Sequence, residues 1–185
     1  MPEARRAQPE PPALGRWQRL GLCLPLLGAF LVYAPAAGRG FVKDDFHWIR
    51  TSAVDRLRDV PELFTRDTGF YRPLVSVSFA ANHAVSGIEP RGYGWTNLAL
   101  AFTAAALVIG FARALGLPRV PALLAGSAWL LNFHGINMAV LWISGRTALL
   151  LVCCAVAAGW AAAGVPSAPP AIWTGIPPPA ARSCK

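Results

Sequence analysis

Between Arg91 and Arg113 the chain runs from Gly92 to Ala112 without one charged side chain. That is about the ~20 residues a helix needs to cross the hydrocarbon of a bilayer, and the block is not alone. Leu20 to Gly38 is uncharged, as are Val120 to Gly145 and the stretch from Thr147 to about Val165. A backbone surrounded by lipid must satisfy its own hydrogen bonds, which a helix does within a single segment. The predicted fold is therefore an all-α integral membrane protein with four transmembrane helices. Only 14% of residues are charged, against roughly 25% in soluble domains, and mean hydropathy is +0.43. The net charge of +8 does not mark a nucleic-acid binder. Its arginines flank apolar blocks instead of forming a basic stripe, the pattern the positive-inside rule produces.

The chain divides into a basic tail over 1–19, a membrane region over 20–165 and a proline- and alanine-rich tail over 166–185. Spans are expected near 20–38, 94–112, 120–134 and 147–165. The polar group Asn132, His134, Gly135 and Asn137 marks where the third helix leaves the bilayer. Arginines in the N-terminal tail, with Arg113 and Arg119, place those segments in the cytoplasm. The loop 39–91 and the segment from His134 to Arg146 then share the opposite face. Ala34-Pro35-Ala36 would suit a signal-peptide cleavage site, but the later spans favour a first transmembrane helix. Cys23, Cys153, Cys154 and Cys184 have neither zinc spacing nor the look of a disulfide framework.

In the outer loop, Phe46, Ile49, Ala53, Leu57 and Val60 recur at three- and four-residue intervals and predict one amphipathic helix. With Arg50, Asp55, Arg56, Arg58 and Asp59 on its other faces, such a helix could lie flat among lipid headgroups. Pro61 ends it or begins a new turn, with Asp59 available as a cap. A second loop helix is predicted to open at Pro73 and stop at Gly87.

Chemistry concentrates on this face. Asp44 and Asp45 are adjacent carboxylates just after the first span. Mutual repulsion could raise the pKa of one and suit it as a general base. The pair could also hold a divalent cation, or simply be a solvated loop or helix cap. Arg72, directly before the helix at Pro73, suits either a phosphate cradle or a guanidinium reaching lipid headgroups. Arg146, after Ser144-Gly145, supplies a second cation. His134 could assist proton transfer or be hydrogen-bonded scaffolding. His47 and His83 have no metal spacing, and no phosphate-binding glycine loop, nucleophile elbow or zinc signature occurs.

The segments FVKDDFHWI, YRPLVSVSFAANHAVSGIEPRGYGWTNLAL and AVLWISGRTALL, in that order, resemble the start of a type C membrane glycosyltransferase. The resemblance is to bacterial relatives of the protein O-mannosyltransferases and covers roughly residues 20 to 160. It implies a multi-span fold whose first outer loop carries a catalytic acid. It also implies transfer of a sugar from a polyprenyl-phosphate donor to a hydroxyl on a protein, lipid or glycan. Carried over, Asp44 is the expected base, with Asp45 orienting the acceptor or a cation. Arg72 and Arg146 are expected to hold the donor phosphate, and His134 and Asn137 are accessory candidates. The run Asn132-Phe-His-Gly-Ile-Asn-Met138 departs from the His-Pro-x-His-x-Glu-like run of relatives and contains no glutamate. Membrane lipid is an expected partner, and the resemblance favours a bacterial plasma (inner) membrane. Such enzymes usually have about twice as many spans or more, so a truncation or frame change near Val165 is expected, leaving an incomplete donor pocket. The competing expectation is a non-catalytic multi-span membrane protein, an assembly factor or a transporter fragment.

Overall fold

The computed structural model describes residues 16–66, 69–132 and 136–163, and within these the protein is helical with no strand. The helices are α1 (Arg16–Tyr33), α2 (Lys43–Ser52), α3 (Pro73–Ser86), α4 (Pro90–Ala114), α5 (Arg119–Leu130), α6 (Ile136–Leu141) and α7 (Arg146–Ala163). Three 3-10 segments, Ala34–Gly38, Leu57–Phe64 and Ile143–Gly145, lie after α1, after α2 and before α7.

Two helices are long and apolar enough to cross a membrane: Pro90–Ala114, and Ile143–Ala163 with its 3-10 start. A third candidate exists if Cys23–Gly38 and Lys43–Ser52, bent by 77° from one another, count as one span. These features are compatible with an integral membrane protein. α4 is the central rod, about 37 Å long at 1.5 Å per residue. Its buried positions Tyr93, Asn97, Leu98, Ala101, Ala104, Ala105 and Ala112 form one stripe, mostly of small residues. Small side chains let neighbouring helices come close, the packing that serves where lipid tails are as apolar as the core. Gly94 shows a close backbone approach: a Cβ there would sit 2.1 Å from the Ala37 carbonyl oxygen. α1 buries Ala29 and Tyr33, packs Leu26 and Phe30 against the bundle, and leaves Leu24, Leu27, Leu31 and Val32 largely exposed.

The third predicted span differs from expectation. α5 has 12 residues, about 18 Å, well short of the ~30 Å hydrocarbon thickness. The helix ends at Leu130, a little before the expected exit at the polar group that begins with Asn132, and the chain resumes as α6. The two short helices retrace α4 from its C-terminal end. Gly126 lies against Ile109 and Ala105, Leu130 shares a cluster with Leu98 and Ala101, and the Ala139 carbonyl meets Asn97. The chain thus returns to the N-terminal end of α4 in two pieces.

The amphipathic stripe of the outer loop is likewise divided. α2 ends at Ser52, with Ala53 extended at φ −60, ψ 130, and the 3-10 segment starts only at Leu57. Ile49 is buried, but Phe46 is 59% and Leu57 89% exposed, so the five residues do not form one face. Pro61, with no N–H and a ring that crowds the preceding turn, is accommodated in the 3-10 segment. Arg66 Nη1 donates to the Thr51 carbonyl near the end of α2 at 3.1 Å, and Leu63 is buried beneath the segment. The second loop helix opens at Pro73 and ends at Gly87 as predicted; Gly87 takes φ +57.

The loop has a core of its own. Trp48, Ile49, Val75, Phe79, Tyr93 and Ile143 cluster at one end of the bundle. The Phe79 ring lies 6.0 Å from Trp48 and 5.8 Å from Tyr93, centroid to centroid. This aromatic layer ties α2 and α3 to α4 and to the turn before α7.

Candidate functional site

Lys43, Asp44 and Asp45 open α2, with Val42 as its extended N-cap. Acidic residues in a first turn are favoured by the partial positive charge of the helix N-terminus. Successive helical residues project about 100° apart, and that rotation separates the two carboxylates. Asp45 turns inward and is fully buried. Its Oδ2 accepts from the Val42 N–H at 2.8 Å, while its own N–H donates to the Val42 carbonyl at 2.7 Å. The carboxylate arm of a capping box is thereby closed. Its Oδ1 accepts from the Ser144 N–H at 2.7 Å and from the Ser144 hydroxyl. Both Asp45 oxygens are thus occupied by protein donors.

Asp44 turns outward. With His47, Trp48, Phe70 and Arg72 it lines an open cleft of about 360 Å³. Arg72 enters from the other side as the N-cap of α3, its guanidinium 5.2 Å from the centroid of Phe70. The Arg72 carbonyl accepts from the N–H groups of Val75 and Ser76, which fixes its backbone to the helix end. One carboxylate, one imidazole and one guanidinium therefore share a cleft walled by two aromatic rings. A carboxylate beside a cation is a pattern suited to displacement of an anionic leaving group.

Arg146 is elsewhere. It is fully buried at the start of α7. Its Nε donates to Asn97 Oδ1 at 2.9 Å, its Nη1 to the Ser78 carbonyl at 3.1 Å, and its Nη2 to the Tyr93 carbonyl at 3.0 Å. The guanidinium carbon lies 4.5 Å from the Phe79 centroid and 5.7 Å from that of Tyr93. No carboxylate forms a contact ion pair with Arg146 among the described residues; carbonyl and amide oxygens and ring faces surround it, and the buried Asp45 carboxylate is a favourable charge farther off. A guanidinium spent in this way is held for the fold and does not face the cleft.

Asn97 completes the network. Its Nδ2 donates to the carbonyls of Ala139, Trp142 and Ile143 at 3.1–3.3 Å, and its Oδ1 accepts from Arg146. Gly145 lets the turn close: a Cβ there would lie 2.7 Å from Ala139 Cα.

Of the expected site residues, Asp44 and Arg72 are brought together, whereas Asp45 and Arg146 belong to the interior. His134 lies outside the described residues, and Asn137 sits on α6 with its side chain outside them. No group of three metal-ligating side chains occurs among the described residues, and Asp44 is the one member of the acidic pair that faces the cleft. Asn97, Ser144 and Ser78 were not among the expected residues. Asn97 left a signal, since an amide in an otherwise apolar helix calls for a partner. His47 left one too, three residues after Asp44 and so on the same helical face. Comparisons with protein-family models, curated proteins and solved structures returned no match.

Proposed function

We propose that this chain belongs to a membrane glycosyltransferase that moves a sugar from a polyprenyl-phosphate donor to a hydroxyl acceptor on the extracytoplasmic face. The single observation that carries the reading is the convergence of Asp44 and Arg72 on one cleft at the end of the bundle. In the reaction, Asp44 takes the proton of the acceptor hydroxyl as its oxygen bonds to the anomeric carbon. The bond from that carbon to the phosphate oxygen breaks, and its electron pair leaves with the polyprenyl phosphate. Arg72 balances the charge that develops on that phosphate. His47, on the same side of α2, is placed to hydrogen-bond the acceptor or the sugar. The donor's lipid tail would remain in the bilayer, alongside the exposed apolar Phe46, Tyr71 and Leu74.

This reading also assigns the cleft to the outer face and the turn between α4 and α5 to the cytoplasm, with α1, α4, the α5–α6 pair and α7 as four crossings. The test is transfer by membranes that contain the protein, supplied with a panel of polyprenyl-phosphate sugars. Asp44→Asn is expected to lower turnover by about 10²–10⁴-fold at unchanged membrane insertion. Full transfer by this variant would sink the assignment of the base.

A further inference from the structure

The two halves of the cleft come from α2 and from the N-terminus of α3; Trp48, which lines the cleft, packs on Phe79 of α3, and hydrogen bonds join both helices to the turn Trp142–Arg146. Asp45, next to Asp44, is bound to Ser144 on this turn. Ser78, on α3 a turn and a half beyond Arg72, is bound to Arg146 through its carbonyl oxygen at 3.1 Å, with its hydroxyl at 3.4 Å. The turn itself is held by Asn97, which takes three of its neighbouring carbonyls and the Arg146 Nε. Asp45, Ser78 and Asn97 come from three different helices and meet on one turn, so the bonds form only when α2, α3, α4 and the start of α7 are all in place.

We propose that the Trp142–Arg146 turn is a latch that sets the cleft, and that Arg146 and Asp45 are positioning residues acting through it. Arg146 registers α3, and with it Arg72, against α4. Asp45 registers α2, and with it Asp44, against the same turn. The latch is a property of the fold; that it aligns a base and a phosphate ligand rests on the glycosyltransferase reading.

Ser52 gives a probe independent of activity. It lies on α2, is fully buried, and its hydroxyl has no hydrogen-bond partner, so Ser52→Cys is a near-isosteric reporter of α2 docking. In a background with the native cysteines replaced by serine, a membrane-impermeant maleimide should modify this thiol slowly. Adding Arg146→Ala or Asp45→Ala should speed modification by roughly tenfold or more, because a buried charged hydrogen-bonding group is lost from a local closing equilibrium. Arg72→Ala should leave the rate unchanged. The milder Ser144→Ala, which retains the backbone N–H to Asp45, should give a smaller increase and guards against variants that fail to fold; Arg50→Cys serves as the exposed control.

Equal protection of the Ser52→Cys thiol in the parent and in the Arg146→Ala, Asp45→Ala and Ser144→Ala variants would overturn the latch. Where transfer is measured, Arg72→Ala should raise the KM for the donor, and Arg146→Ala should lower kcat together with loss of thiol protection. An Arg146→Ala variant that raises only KM at intact protection would return Arg146 to the phosphate. Loss of protection on Arg146→Ala, together with full sugar transfer by Asp44→Asn, would retain the latch and remove the reading that it aligns a base.

Discussion

Asp45 and Ser144 stand 99 residues apart in the chain, yet the carboxylate of one accepts both the backbone N–H and the hydroxyl of the other. With the Val42 N–H on the second oxygen, Asp45 joins the N-terminus of α2 to the turn that precedes α7. Asp44, its neighbour in sequence, has no such bond and faces the cleft.

The two aspartates are therefore expected to respond oppositely to substitution. Asp45→Ala leaves three donors without an acceptor, two of them at a buried site, and should destabilise the protein by about 3 kcal/mol. Asp44→Ala should scarcely move the midpoint. Thermal unfolding in detergent micelles, followed by far-ultraviolet circular dichroism, separates them; equal midpoints would contradict the inward role of Asp45.

Arg146 and Asn97 form a coupled pair. Lysine in place of Arg146 keeps the charge but cannot present a planar fork to Asn97, Ser78 and Tyr93 at once. Arg146→Lys is expected to cost about 2 kcal/mol or more. A double-mutant cycle of Arg146→Lys with Asn97→Ala should give a coupling of about 1–3 kcal/mol, measured by the same unfolding transitions. Additive effects would show that the 2.9 Å contact contributes nothing of its own.

Gly94 tests the crossing of α4 with the segment after α1. An added methyl would lie 2.1 Å from the Ala37 carbonyl oxygen, and backbone on both sides leaves no flexible side chain to yield. Gly94→Ala should destabilise by about 1–3 kcal/mol, although alanine is the better helix former. A gain in stability would mean that the two segments separate at little cost.

Orientation can be read with thiols. In intact cells, an impermeant maleimide should label Arg50→Cys on α2, whereas Leu115→Cys, after α4, should react only once the membrane is opened. Both positions are exposed, so burial within the protein does not confuse the outcome. The reverse pattern would invert the proposed topology.

The sequence alone determined that the chain is helical and that at least two stretches suit a bilayer, because the absence of charge over Gly92–Ala112 and after Arg146 is a local property that lipid selects directly. It also determined the α3 boundaries, since Pro73 can start a helix without needing its N–H and Gly87 can adopt a positive φ to end one. Its polar group from Asn132 onward marked the end of the third helix close to where α5 stops, but it did not determine that the chain resumes as the short helix α6, because lack of charge limits where a segment can lie and says little about how it is divided. Nor could it separate Asp44 from Asp45 or Arg72 from Arg146. Each pair has one chemistry, and its members differ only in direction and burial. That difference is decided by the 100° step along α2 and by partners from distant segments: Ser144 for Asp45, and Asn97, Ser78 and Tyr93 for Arg146. Tertiary packing consumed one carboxylate and one guanidinium to close the bundle and left the other two facing a common cleft.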